Sequence, residues 1–242
     1  MKCIDMLLKD EKIVWQGDLK STYSKYLPPD NLVYDNPDMW EAMADGKVTD
    51  LFQFIGEVGQ SCIRKTRPEN IKQMGAANAV MRLQASGEEE SPIDRYVRFR
   101  NDIGQWYLEM AENGLTNQEI HILEKYLGQK FGCAVEQEDV MLLLMDPEVA
   151  GFSLKQADHA RKIIAKKKLK DIAELEKEFF GSKSRPEFLH YVWDMCIKPQ
   201  LGYSFSIPHD IGYSLIGWQE VNLATRWNPL YWQCACLPWR LF

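Results

Sequence analysis

Between residues 94 and 130 the apolar positions Tyr96, Phe99, Ile103, Trp106 and Met110 recur every three or four residues, and a second run, Ile120, Leu123 and Leu127, follows. That spacing puts one side chain per turn on a common face, so both stretches are expected to be helical. Thr116 and Glu119 open the second run as a capping box, in which a hydroxyl and a carboxylate satisfy orphan N–H groups reciprocally. Ser153 and Gln156 repeat the device ahead of Ala157, Ala160 and Ile164, whose spacing gives one buried face. Pro186 opens another candidate helix through Leu189, Val192, Trp193 and Cys196, ended near Pro199. Pro208 suits the first turn of a run to Trp227 that Asn228-Pro229 stops. Nearer the start, Pro28-Pro29-Asp30-Asn31 and Asp35-Asn36-Pro37-Asp38 break any long helix, and Asn36 or Asp38 can cap a short one over 39–43. Residues 84–93 are polar and acidic with Gly87 and Pro92, an expected exposed loop and a candidate boundary. Strand-type alternation is scarce and no repeat is visible, so the expected fold class is mainly α with little strand content.

Composition narrows this picture only slightly. The 242 residues, 45% hydrophobic and 12% aromatic, suffice for one large or two small domains with a buried core. No run of about 18 apolar residues exists to span a bilayer, and Asp5 interrupts the apolar patch at the N-terminus, so a soluble, cytoplasmic chain without a secretory signal is expected. Six cysteines at 3, 62, 133, 196, 234 and 236 lack Cys-x-x-Cys spacing, which argues against both a disulfide framework and a zinc site.

Charge changes the picture more. The formal net charge is −6, yet residues 151–170 hold seven Lys or Arg against one Asp, a net +6, leaving −12 for the remainder. Positive charge concentrated on one helix of an acidic protein suits a phosphate-rich ligand. Lys155, His159, Lys162 and Lys166 are spaced four, three and four residues apart along one helical face, with Arg161 and Lys168 on its flank. Such a row could hold a triphosphate, because Arg offers a planar fork and Lys a mobile point charge. Charge alone favours a solvated helix flank over that reading. His209 lies near a helix start, where backbone donors favour anions, although a cap or surface histidine fits the same position. Gly212 and Gly217 inside that helix each cost about 1 kcal/mol relative to Ala, a cost that close approach of another backbone or a ligand would offset.

Two further basic clusters, Arg64-Lys65-x-Arg67 with Lys72, and Arg95, Arg98 and Arg100 interleaved with Tyr96 and Phe99, suit a nucleic-acid backbone or a solvated helix equally well. Asp-x-Asp is absent, although two-metal phosphoryl transfer needs paired carboxylates. Glu136-Gln137-Glu138-Asp139 is the one serious candidate for buried carboxylate work, and acids at the positive end of a helix are the favoured account of it. Phosphate-loop, dinucleotide, nucleophile-elbow and His-Glu-x-x-His motifs are also missing.

Five segments occur in a telling order: Phe52-Gln53-Phe54; Ala77-Asn78-Ala79-Val80-Met81-Arg82; Gln137-Glu138-Asp139-Val140-Met141; Gly151 through Lys168; and Tyr203-Ser204-Phe205 with His209, Tyr213 and Gln219. Over residues 50–237 this order resembles the family C replicative DNA polymerases, the bacterial DNA polymerase III alpha subunits and their bacteriophage relatives. The resemblance implies the helical fingers region, with 1–50 as the palm-to-fingers connection, 51–150 and 151–242 as two parts of the fingers, and a truncated C-terminus. It further implies that Arg161 and Lys162, then Lys166, meet the triphosphate of the incoming deoxynucleotide. His209 is placed in the same nucleotide site, and Gln53, Arg82 and Gln137 near the template–primer. Catalytic aspartates and their Mg2+ ions would belong to a palm outside this chain, so no catalytic or metal-binding residue is expected within it and the isolated chain is expected to be inactive. The implied partners are a dNTP, primer–template DNA and a palm-bearing chain or upstream segment, with no membrane, in the host cytoplasm if the gene is phage-borne. Ile55-Gly56, Arg82-Leu83-Gln84-Ala85 and Ile207-Pro208 depart from the cellular pattern and point to a phage branch; the last removes one expected phosphate contact. A non-catalytic, helical nucleic-acid-binding protein derived from such a polymerase is the alternative.

Overall fold

A computed structural model describes residues 2–83, 90–203 and 205–237, which form fourteen α-helices and no strand. The mainly α expectation therefore holds. Most of the loop expected at 84–93, as well as Ser204 and the last five residues of the chain, lie outside the described residues. Residues up to 78 together with those from 211 onward make one compact unit, and residues 79–210 make a second.

The first unit begins with α1 (Lys2–Lys9), α2 (Leu19–Tyr26), α3 (Pro37–Ala44), α4 (Glu57–Thr66) and α5 (Ile71–Val80), the last of which crosses the boundary. Asp18 caps α2 by accepting from the Ser21 N–H at 2.7 Å, and Asn36, rather than Asp38, caps α3. The second unit holds α6 (Pro92–Asn101), α7 (Gly104–Glu112), α8 (Asn117–Leu127), α9 (Gln137–Met145), α10 (Leu154–Lys166), α11 (Leu169–Phe180) and α12 (Pro186–Val192). The chain closes with α13 (Ile207–Thr225) and α14 (Pro229–Cys236), and α14 packs on α1.

Both expected capping boxes form, Thr116 with Glu119 and Ser153 with Gln156. The periodic run from Tyr96 to Met110 is two helices instead of one. Asp102 ends α6 in extended geometry and accepts the Gly104 N–H at 3.0 Å, which leaves Ile103 exposed while Tyr96, Phe99, Trp106 and Met110 are buried. The basic segment is also divided, because Lys167 adopts left-handed geometry (φ +49°) and closes α10 through the Ile163 carbonyl. Beyond α12 the chain continues as a π turn, Trp193–Ile197, and a 3₁₀ turn, Lys198–Gln200. Gly132 (φ +74°) lies flat against the Trp106 indole, where an added Cβ would come within 2.5 Å of the ring. All six cysteines are free thiols.

In the first unit α13 organises the loops around it. Trp218 stacks on Trp40 with centroids 3.5 Å apart and donates to the Val33 carbonyl at 2.8 Å, while Asn222 accepts the Val33 N–H at 3.0 Å. Gly217 lacks the Cβ that would meet the Met74 methyl at 2.6 Å, a close approach by a side chain rather than a backbone, while at Gly212 a Cβ would find no described atom within 4 Å.

Candidate phosphate-facing site

In the second unit, α10 packs on α9 and α11 through Ala157, Ala160, Ile163 and Ile164. The opposite face carries Lys155, His159, Lys162 and Lys166, all exposed, with Arg161 at the border. The Gly202 N–H donates to the Ile164 carbonyl at 2.8 Å, fastening the segment around 202 to the last turns of α10.

Asp158 organises the cations. Its Oδ1 accepts from Arg161 Nε at 3.1 Å and Nη2 at 2.8 Å, and its Oδ2 pairs with Lys162 Nζ at 2.6 Å. Lys162 first and Arg161 second hold this carboxyl below the usual Asp range. The remaining fork nitrogen, Arg161 Nη1, donates to Gln137 Oε1 at 3.1 Å.

Gln137 is the first residue of α9, and three bonds fix that end of the helix. Its N–H donates to the Phe205 carbonyl at 2.8 Å, its Nε2 donates to Glu138 Oε1 at 3.1 Å, and Glu138 Oε2 accepts the Ile207 N–H at 3.0 Å. The start of α13 is thereby capped by a carboxylate of α9. The Phe205 ring carries His209 edge-on at 4.8 Å and stacks with Tyr203 at 5.8 Å, and the Arg82 guanidinium sits 5.2 Å and 5.5 Å from the two centroids. Arg82, Gln137, Arg161, Lys162 and His209 thus belong to one network through Phe205 and Asp158. Lys166 stands one turn beyond Lys162 on the exposed face. Gln53 belongs to the first unit, at the corner of a turn closed by the Phe54 N–H and Leu51 carbonyl at 2.9 Å. It holds a left-handed φ of +70°, uncommon for a residue with a side chain. Glu220 accepts the neighbouring Phe52 N–H at 2.6 Å, and Tyr213 packs edge-on to the Phe52 ring at 5.2 Å.

The acidic run at the start of α9 is a helix start. Glu136 and Asp139 form a capping box, with Asp139 Oδ2 also accepting the Val135 N–H at 3.0 Å, and the Lys130 ammonium pairs with both carboxylates. Burial, reinforced by Asp139 and opposed by Lys130, pushes the Glu136 carboxyl above the usual Glu range. This triad anchors the helix that carries Gln137. Among the described residues, no group of three or more His, Cys, Asp or Glu is placed to hold a metal ion.

Arg95 and Arg98 of α6 are used internally. Arg95 makes a two-pronged pair with Glu109, Arg98 pairs with Glu90 and Glu109, and both guanidiniums lie over Phe99. The Tyr191 hydroxyl donates to Glu109 at 2.8 Å and accepts from the Trp106 indole at 3.1 Å. Sequence reasoning overlooked Asp158 and Glu138 as partners. The signal for Asp158 was present, since it precedes Arg161 and Lys162 by three and four residues on the same helix.

Helices without strands among the described residues, with a cationic face on α10 near an aromatic-backed arginine, are what a polymerase fingers region would be expected to show. Residues 11–185 match the family model of the bacterial DNA polymerase III alpha subunit finger domain, and the chain belongs to that family. It is 42% identical over 238 residues to the probable DNA polymerase YorL of Bacillus subtilis (strain 168), an alignment covering 97% of this chain and 18% of the relative. The same identity and coverage hold for a DNA-directed DNA polymerase of Bacillus phage SPbeta. Identity is 28% over 192 residues to the DNA polymerase III subunit alpha of Treponema pallidum (strain Nichols), covering 78% of this chain and 15% of that one. The chain therefore spans less than a fifth of the length of these relatives.

Proposed function

We propose that this chain supplies the fingers of a replicative DNA polymerase and meets the triphosphate of the incoming dNTP with α10. The observation that carries this reading is the half-buried Arg161 fork and the exposed Lys162 ammonium, converging on a single carboxylate, with Arg161 braced by Gln137. When a primer 3′-hydroxyl attacks the α-phosphate and pyrophosphate leaves, a guanidinium fork and an ammonium neutralise charge on the triphosphate oxygens. Lys166 extends the cationic row and His209 donates to a phosphate oxygen. Arg82, Gln137 and, in the first unit, Gln53 serve the template–primer.

The polymerase as a whole would use Mg2+, but the residues described here do not fit a metal, so we assign that ion to palm carboxylates outside the chain. The remaining partners are primer–template DNA and the palm-bearing remainder of the polymerase. No helix among the described residues is long and apolar enough to cross a membrane, and we assign the chain to the host cytoplasm.

The test is steady-state primer extension by the complete polymerase carrying Arg161→Ala and Lys162→Ala together. We expect the apparent KM for dNTP to rise roughly 10- to 100-fold, the loss of two charge-assisted contacts. An unchanged KM contradicts the assignment. Salt-sensitive DNA binding by the chain with no nucleotide binding would favour the non-catalytic alternative instead.

A further inference from the structure

We propose that Asp158 is a built-in stand-in for phosphate, a carboxylate that occupies the Arg161–Lys162 pair when no ligand is bound and gives it up to a polyphosphate. The inference rests on the nucleotide reading of α10 and adds what sets affinity and selectivity there.

The geometry supports it in three ways. First, Asp158 takes the donors a phosphate would use: two nitrogens of the Arg161 fork on one oxygen and the Lys162 ammonium on the other. Spacings of three and four residues put all three side chains on one strip of helix, so the cations are held together and neutralised in advance. Second, Asp158 is accessible, its side chain 38% exposed, and releasing it requires no opening of the core. Third, the brace on Arg161 is separate, because Nη1 rests on Gln137 and stays there when Nε and Nη2 change partners. The start of α13 repeats the principle, with Glu138 accepting the Ile207 N–H two residues from His209.

A carboxylate carries one negative charge, whereas a triphosphate brings several with more acceptor oxygens. Exchange on the Arg161–Lys162 pair therefore favours polyphosphate over monoanions. It also makes each binding event repay the loss of an internal pair, which loosens the ligand and speeds release of a pyrophosphate product. Asp158 is accordingly an affinity-setting residue and touches no reacting atom.

The experiment is calorimetric titration of the full chain with sodium tripolyphosphate and with dATP, at several salt concentrations, for the natural sequence, Asp158→Asn, Asp158→Ala and Arg161→Ala. Asp158 lies on an exposed helix face, and thermal melts establish that each variant is folded. We expect both Asp158 variants to bind tripolyphosphate roughly five- to tenfold tighter, with steeper salt dependence, because one close negative charge has been removed. Discrimination against acetate should weaken in parallel, and Arg161→Ala should lose binding. If the natural chain binds but the Asp158 variants bind equally or more weakly, Asp158 is a positioning residue and the stand-in role is overturned while the nucleotide reading survives. If no protein binds, the natural one included, the nucleotide reading itself fails and takes this proposal with it.

Discussion

Two arginine-bearing helices of the same unit, α6 and α10, look alike as strings of charge and differ in what their cations are doing. On α6, Arg95 is bonded on both prongs to Glu109, each side chain only 16% exposed, with Tyr191 and Trp106 completing the network. On α10, Arg161 and Lys162 share an exposed carboxylate of their own helix. An ion pair buried among aromatic rings is costly to open, because a stranded charge loses both partner and solvent. An exposed pair exchanges partners at little cost. The number of positive charges is therefore a poor guide to a binding surface, and the accessibility of the neutralising carboxylate is the better one.

The comparison can be broken at its buried end. Glu109→Gln should destabilise the chain by about 3–5 kcal/mol, since Arg95 is left buried without its counter-charge. Denaturant unfolding checks this, and a loss below about 1 kcal/mol would mean that the α6 pair is as disposable as an exposed one.

Lys130→Met tests the second buried ion group, which holds the start of α9. We expect a loss of about 2–4 kcal/mol, because the buried carboxylates lose the cation they share. A loss below about 1 kcal/mol would count against an electrostatic role for Lys130.

Buried carboxylates also dictate how the natural chain responds to pH. Burial raises Glu220 to about 7, against an ordinary 4.5, despite its bond from the Phe52 N–H, and raises Glu136 as well. Between the ordinary and the raised value each folded carboxyl binds more protons than the unfolded one, so the contribution of Glu220 to stability falls as pH rises from about 4.5 to 7. Glu220→Gln should remove the part of this slope below about 7, leaving the variant on the order of 1 kcal/mol more stable than the natural chain at pH 8 and no more stable at pH 4. Urea unfolding at the two pH values reads this directly, and parallel slopes would remove Glu220 from the account.

The smallest effect belongs to the exposed end. Asp158→Asn should change stability by less than about 1 kcal/mol even as it strengthens polyphosphate binding. A large stability loss on this substitution would place Asp158 with Glu109 as an architectural residue.

The sequence makes the caps and the apolar faces of the second unit legible, because both depend on residues three or four positions apart. Thr116, Ser153 and Asn36 cap as their spacing requires. Helices α1, α2 and α14 are short, and packing such as that of α1 on α14 is invisible to local periodicity. The same limit hides the bonds that join Val33 to Trp218 and Asn222, which lie more than 180 residues further along. At the candidate site, Arg161, Lys162 and Lys166 are legible from charge and helical spacing. The internal use of Arg95 is not, because Glu109 lies 14 residues away beyond the break at Asp102.

If the pair on α10 exchanges its accessible carboxylate for a triphosphate while the buried pair of α6 stays closed, the two respond differently to nucleotide. The most direct measurement is an NMR titration with dATP that follows the Asp158 and Glu109 carboxyl carbons together with the Nε–H groups of Arg161 and Arg95. We expect Asp158 and Arg161 to shift together and saturate at one ligand concentration, with Glu109 and Arg95 unmoved. Shifts at Glu109 and Arg95, or saturable binding that leaves Asp158 and Arg161 unchanged, would contradict it.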